Sequence, residues 1–327
     1  MVVIARAAVG KTRCLTERVR FWLRQGVDPS DICAITFTNL AANEMQVRLG
    51  DDYKDGMFIG TIHSLAAHFL KDYGLGEKVG EVISDREFDE FFEHIKDYPA
   101  CVEHYTYVLV DEAQDLSINE YDFIFNMIQP SHFFVVGDPL QCIYESLKGA
   151  SPKYMESLMY RPDVAVYDLN ENYRNKANIL NYAKDVVRKL GARDNTKPMN
   201  IGGVIYEGSF NEKRFLDTIE SHKPYKDWVI LCYTNSEVDQ IMRLLKKNFI
   251  PVLTFNQRNK SKKEMDDLIN QDKVKVLTVW GAKGLGFPNV VVFGRNWLLN
   301  KRATKREALR VDYVAYTRAM NILIVYN

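Results

Sequence analysis

Apolar residues along the 327-residue chain gather into short β-branched runs, and between these runs they recur at three- and four-residue intervals. Runs of the first kind read as strands buried on both faces, and the intervening stretches as amphipathic helices laid against them. In the first half the runs predict strands at Val2–Ala5, Ile32–Thr36, 57–60, 107–111 and His132–Gly137. In the second half they predict strands at 164–169, 204–207, 228–233, 274–279, 290–293 and 322–325, with helices such as 12–25 and 236–248 between strands. Strand and helix alternate throughout, which predicts an α/β fold with mainly parallel sheets flanked by helices. The pattern is weakest near Arg161 and Pro162, so two lobes are expected, 1–162 and 163–327, with a small helical insertion at about 65–104. The polar stretch 191–203 is expected to be a surface loop.

Composition narrows the function classes. Lys+Arg and Asp+Glu both number 43, so the chain has no basic field with which to coat a polyanion, and any nucleic-acid contact must be a local groove. The five cysteines (14, 33, 101, 142 and 232) include no C-x-x-C pair, which argues against a zinc site or a disulfide framework and for a reducing cytosol. No apolar run approaches the ~18 residues of a membrane span. A cytoplasmic protein with no membrane contact is expected.

The first chemistry-bearing run is A-R-A-A-V-G-K-T at 5–12, between a predicted strand and a predicted helix. It fits a relaxed phosphate-binding loop with alanine for the first glycine. Such a loop turns backbone N–H groups of Ala7, Ala8, Val9 and Gly10 toward a β-phosphate at a helix N-terminus. Lys11 would reach the β- and γ-phosphates, and the Thr12 hydroxyl a magnesium ion. Taken alone, Gly-Lys-Thr is also a common helix start, and Arg6, Ala8 and Val9 are bulkier than such loops usually carry.

The second run, Y-V-L-V-D-E-A-Q-D at 107–115, is an apolar strand that ends in adjacent carboxylates. Ligands bind α/β sheets at that edge. Asp111 would hold magnesium through water, and Glu112 would orient and deprotonate an attacking water. A solvated acidic loop is the bland alternative; the phosphate loop about 100 residues upstream argues against it.

Seven runs, taken in order, resemble the motifs of the UvrD/Rep group of superfamily 1 helicases. I-T-F-T-N-L-A-A-N-E-M (35–45) resembles motif Ia, and G-T-I-H-S (60–64) the DNA-contact motif that follows. V-D-E-A-Q-D (110–115) resembles motif II and V-G-D-P-L-Q (136–141) motif III. L-N-E-N-Y-R (169–174), V-L-T-V-W-G-A-K-G-L (276–285) and Y-V-A-Y-T-R-A (313–319) resemble motifs IV, V and VI. The resemblance implies two RecA-like lobes that hydrolyse ATP with Mg2+ while moving along single-stranded DNA, 3′-to-5′, and opening junctions between single and double strand.

It also implies roles by position. Gln141 would sense the γ-phosphate, and Arg174 and Arg318 would be arginine fingers, each a bidentate donor to charge on the transferred phosphoryl group. Arg13 and Tyr173 would sandwich the adenine, and Gly284 would line the nucleotide site. Phe37, Thr38, Asn39, Thr61 and His63 of the first lobe, with Thr278 and Trp280 of the second, would contact the strand. Contacts of this kind carry no sequence information, as stepping along any sequence requires. Singly, Phe37 fits a core position and His63 a satisfied polar one.

The chain departs from the family in four places. Four residues precede the phosphate loop, leaving no counterpart to the family's upstream glutamine motif, so either nucleotide choice is relaxed or the true start lies further upstream. Beyond Gln141, Leu147 lies near the place of a base-stacking aromatic, with Tyr144 the nearest aromatic. Trp280 replaces a histidine, as a stacking platform or as core, and Gly286 replaces a glutamate. The large accessory insertions have no room. The expected function is therefore an ATP-driven helicase, or a translocase that moves or strips proteins without unwinding duplex and unwinds only with a protein partner or by self-association. A nucleotide-gated DNA-binding or regulatory subunit with little turnover is the alternative.

Overall fold

A computed structural model gives the fold and describes residues 1–7, 9–72, 92, 95, 99, 102, 104–256, 262–294 and 305–326. By packing, the chain divides into two units: Met1–Ala5 with Gly10–Leu169, and Arg6–Val9 with Asn170–Asn327.

The first unit is built on β1 (Val2–Ala5), β2 (Ile32–Thr36), β3 (Phe58–Thr61), β4 (Tyr107–Val110), β5 (His132–Gly137) and β6 (Val166–Leu169). They form one sheet in the order β3-β2-β4-β5-β1-β6, parallel at every pairing. The β2 run Ile-Cys-Ala-Ile-Thr is buried at all five positions, as a strand covered on both faces requires. Helices α1 (Lys11–Arg24), α2 (Asn39–Leu49) and α3 (Ile62–Asp72) follow β1, β2 and β3 in turn. Phe123 anchors the core against Phe69 and Phe92, with ring centroids 6.0 and 5.4 Å apart.

The second unit opens with β7 (Glu171–Lys176), β8 (Lys197–Asn200) and β9 (Val204–Gly208), followed by β10 (Trp228–Cys232), β11 (Val252–Leu253), β12 (Val274–Thr278), β13 (Phe287–Phe293) and β14 (Ala319–Tyr326). Its sheet runs β11-β12-β10-β13-β14-β9 and is again parallel, while β7 and β8 pair separately. The α/β, mainly parallel reading of the sequence is therefore what the chain adopts, and β1, β2 and β5 have the expected bounds.

Two expectations need correction. The strand expected at 164–169 and grouped with the second half is β6, which pairs with β1 and closes the first sheet. The stretch 191–203 is not all loop, since β8 lies in it and pairs with β7. Both strands are mostly exposed: the run of β6 marks a strand but not the sheet it joins, and β8 has no apolar run to mark it. The insertion expected at about 65–104 falls mostly outside the described residues, as do Cys101 and Ala8.

A buried position of the second sheet carries a charge. Lys275 of β12 is fully buried, and its ammonium donates to the carbonyls of Lys226 (2.6 Å) and Gln271 (3.3 Å). Burial pushes its pKa down to about 8, against the pull of Asp227 and Asp272. A folded-state pKa below the unfolded value of 10.5 means that the unfolded chain holds more protons between those limits. The stability of the wild type, measured against Lys275→Met by denaturant melts, should therefore rise from pH 8 toward pH 10. A difference that stays flat or falls over that window would contradict this placement of the amine.

Candidate functional site

Because the strands of the first sheet are parallel, their C-terminal ends lie along one edge, where backbone N–H and C=O groups run out of partners. Register fixes where each strand ends along that edge: Ile4 sits opposite Gly137, Val110 opposite Val135, and Ile35 opposite Val110. The candidate runs leave the sheet at this edge. Lys11 and Thr12 follow β1, Phe37 and Thr38 follow β2, His63 follows β3, Asp111 and Glu112 follow β4, and Asp138 and Gln141 follow β5.

Gly10 begins α1 with φ 93°, the left-handed region open to glycine, and nothing lies within 4 Å of where a Cβ would stand. No side chain caps this helix, and its first turn has no acid. The first-turn N–H groups thus point off a helix end whose partial positive charge suits an anion. Thr12 is half-buried and Arg13 is exposed. The Lys11 ammonium lies 2.9 Å from Glu112 Oε1.

Glu112 itself adopts φ 49°, ψ 42°. That conformation costs a residue with a Cβ about 1–2 kcal/mol, and such strain collects at functional positions. Asp111 anchors the turn, its N–H donating to Ile35 O (2.9 Å) and its Oδ1 accepting from the Glu112 N–H (2.9 Å). Gln114, fully buried, donates to Glu112 Oε2 at 2.5 Å and accepts from the Asp138 N–H at 2.8 Å. Asp138 in turn accepts from Gln141 Nε2 at 2.6 Å. Motifs II and III are therefore one hydrogen-bonded chain. Gln114 was not singled out in the sequence; the only signal was an amide two residues beyond Glu112.

At the same edge Phe37 packs against Tyr144 (5.1 Å between centroids), and Lys148 Nζ stands 4.9 Å from the Phe37 ring. Buried Glu120 holds Lys148 at 2.8 and 3.0 Å. The Thr38 hydroxyl caps α2 by accepting from the Ala41 N–H, and Thr61 does the same for Ser64 at the start of α3. Asn39 is exposed, and His63 lies 5.2 Å from the Phe92 ring.

In the second unit, Arg174 and Arg318 come together on one carbonyl. Their Nη1 atoms stand 3.3 and 3.1 Å from Leu285 O, and Arg174 Nη2 is 3.5 Å from Gly284 O. Arg318 is almost wholly buried and donates also to Val314 O and the Thr317 hydroxyl. Gly286 makes room for this arrangement, since a Cβ there would stand 2.9 Å from Arg174 Nε. Gly284 is exposed with φ 84°, and Tyr173 is exposed with its hydroxyl on Glu171. Ala7 and Val9 are buried, and Ala7 O accepts from Asn172. Thr278 accepts from the Gly281 N–H beneath the turn that half-buried Trp280 begins.

Sequence reasoning also missed Asn172 and Asn175. Asn172 accepts the N–H groups of Arg174 and Asn175, and Asn175 donates to the carbonyls of Thr317 and Ala319. These two buried amides set the backbone on either side of both arginines. Among the described residues no group of three His, Cys, Asp or Glu side chains is placed to hold a metal, and no helix is long and apolar enough to cross a membrane. Burial raises the pKa of the Cys14, Cys33 and Cys232 thiols, which leaves them poor nucleophiles and ligands.

Two parallel α/β units, the first carrying a strand–Gly-Lys-Thr–helix turn beside an Asp-Glu strand end, define a protein of the RecA-like, P-loop class. Comparison with known proteins narrows this. The UvrD/REP helicase N-terminal domain matches residues 1–99 and 91–161, and the UvrD-like helicase C-terminal domain matches 255–327. A probable DNA helicase of Mycoplasma pneumoniae is 23% identical over 99% of this chain and 80% of its own length. The putative ATP-dependent DNA helicase R568 of Acanthamoeba polyphaga mimivirus is 27% identical over 99% of this chain and 50% of its own. The ATP-dependent DNA helicase PcrA of Staphylococcus epidermidis is 25% identical, covering 84% and 51% respectively. The chain belongs to the UvrD/Rep helicase family, and spans about half the length of the last two relatives.

The left-handed Glu112 backbone makes a stability prediction independent of activity. Glu112→Gly and Glu112→Ala both delete the carboxylate, but only glycine is at ease at φ 49°. Glu112→Gly should be the more stable of the two by about 1 kcal/mol in denaturant melts. Equal stability would mean that the residue does not hold this conformation.

Proposed function

We propose that this chain is a DNA-dependent ATPase that moves along single-stranded DNA in the 3′-to-5′ direction and opens junctions between single and double strand. The observation that supports it most is the single sheet edge on which an open helix N-terminus, Lys11, Glu112 and Gln141 meet. In this reading the first-turn N–H groups of α1 and Lys11 bind the phosphates, and a γ-phosphate competes with Glu112 for the ammonium. That competition releases Glu112 Oε1 to take a proton from water attacking the γ-phosphorus. The water oxygen bonds to phosphorus as the bond to the β–γ bridging oxygen breaks, leaving ADP and phosphate.

The donors fit magnesium, which keeps several waters and uses one or two protein oxygens beside substrate phosphates. Thr12 and Asp111 would hold it, and it would supply charge neutralisation at the phosphate oxygens. Arg174 and Arg318 are assigned to the charge that develops on the phosphoryl group, as the family resemblance implies, with Asn172 and Asn175 holding their backbones. The DNA-facing set is Phe37, Thr38, Asn39, Thr61, His63 and Tyr144 in the first unit, with Thr278 and Trp280 in the second.

Wild-type protein should hydrolyse ATP faster with single-stranded DNA present. Lys11→Ala and Glu112→Gln should each lower that rate by roughly 10²–10⁴, the usual weight of a positioned base or phosphate charge. Unstimulated wild-type turnover would instead favour a nucleotide-gated regulator. A forked duplex with a 3′ or a 5′ tail reads polarity, and only the 3′-tailed fork should open.

Phe37→Ala and Tyr144→Ala should each weaken single-strand binding by about 1–3 kcal/mol, the usual value of a base–aromatic stack, in fluorescence titrations. Unchanged affinity in both would place the strand elsewhere.

A further inference from the structure

We infer that Gln114 is a positioning residue for hydrolysis: it ties one oxygen of Glu112 to the Asp138–Gln141 turn, so that the state of this turn sets the aim of the base. The inference rests on the reading above, in which Glu112 takes the proton of the attacking water.

The argument begins with how the Glu112 carboxylate is divided. Oε1 faces Lys11 at 2.9 Å, and Oε2 faces Gln114 Nε2 at 2.5 Å. Losing Lys11 to a phosphate would free Oε1 while Oε2 stayed held, which fixes both the working oxygen and its direction. The other end of the Gln114 amide accepts from the Asp138 N–H at 2.8 Å. Asp138 accepts from the Leu140 N–H at 3.0 Å and from Gln141 Nε2 at 2.6 Å. Gln114, Asp138 and Gln141 are all buried, so a shift of the Gln141 side chain passes through short, water-shielded bonds to the base.

Only a primary amide suits this place. It donates at one end, accepts at the other and does not titrate. A carboxylate would set like charge against Glu112, and an apolar side chain would leave the Asp138 N–H without this acceptor. The backbone opposite is cut to match. A Cβ on Gly137 would stand 2.6 Å from Gln114 Oε1 and 3.2 Å from the Ala113 nitrogen, so a side chain at 137 would displace the amide.

The test uses the whole chain and four proteins: wild type, Glu112→Gln, Gln114→Ala and Gln114→Glu. Each is first checked by thermal melt and for binding of a fluorescent ATP analogue. The expected result for Gln114→Ala is at least a tenfold fall in kcat for DNA-stimulated hydrolysis, with analogue affinity and ATP KM within threefold of wild type. Gln114→Glu adds a readout that a packing role would not move. A carboxylate there would face Glu112 and also Asp115, whose Oδ2 lies 3.4 Å from the amide nitrogen it replaces, so the cluster would hold a proton at a raised pKa, and while the proton stays the donor to Glu112 is restored. Its rate should therefore be highest at mildly acidic pH and fall as pH rises, relative to wild type. Gln114→Ala within twofold of the wild-type kcat, or Gln114→Glu with the wild-type pH profile, overturns the inference while an inactive Glu112→Gln leaves the ATPase reading intact. An active Glu112→Gln overturns both, because no base would then remain for Gln114 to aim.

Discussion

The site depends on strand register. In an all-parallel sheet each strand must be reached by a crossover, and every strand ends at the same edge. In the first unit the pairings hold Ile35, Val110 and Val135 level, with Ile4 two residues further along beside Gly137, so residues 100 and more positions apart leave the sheet at one edge. A shift of one residue in β4 would turn Val110 to the opposite face and move Asp111 and Glu112 by more than 3 Å. The buried runs on β1, β2 and β4 oppose that shift, because each would have to expose its apolar side chains.

Within each unit, buried amides do much of the arranging around the charged groups. Gln114 spans from Glu112 to Asp138 in the first unit, and Asn172 and Asn175 span from the Arg174 segment to Thr317 and Ala319 in the second. Amides suit this because a buried ion must be desolvated and paired, whereas an amide needs only its hydrogen bonds. Arg318 obeys the same economy: a guanidinium taken out of water is satisfied by Val314 O, Leu285 O and Thr317 Oγ1. Leu285 O thereby becomes the meeting point of two arginines 144 positions apart, and Gly286 is the residue that lets them approach it.

This division explains what the sequence made legible. Strands β1, β2 and β5 have the bounds their β-branched runs predicted, because burial of most of a strand imposes a composition that can be read directly. Of the mostly exposed strands, β6 left a run that marked a strand but not its sheet, and β8 left none. One was grouped with the wrong half, and the other was taken for loop. Lys11, Asp111 and Glu112 stood out because charge beside a strand end is unusual, and the structure brings Lys11 and Glu112 to 2.9 Å. Gln114, Asn172 and Asn175 stood out in neither way. An uncharged amide has no periodicity, and its importance lies in partners 24 to 165 positions away that no local pattern names.

Net charge bears on how the proposed DNA-facing edge would hold a strand. With 43 basic and 43 acidic residues, the chain has no surplus field to draw in phosphate. Even the lysine nearest the aromatic pair is committed, since Lys148 is bound by both oxygens of Glu120 while it stands over Phe37. The ion pair fixes the ring's position and leaves little charge to offer. What remains at this edge is the paired rings of Phe37 and Tyr144 with the hydroxyls of Thr38 and Thr61, which already close the first turns of α2 and α3. Rings stack on any base, and hydroxyls read only backbone oxygens. A grip of that kind would be indifferent to sequence, and it could be released and remade without separating strong ion pairs.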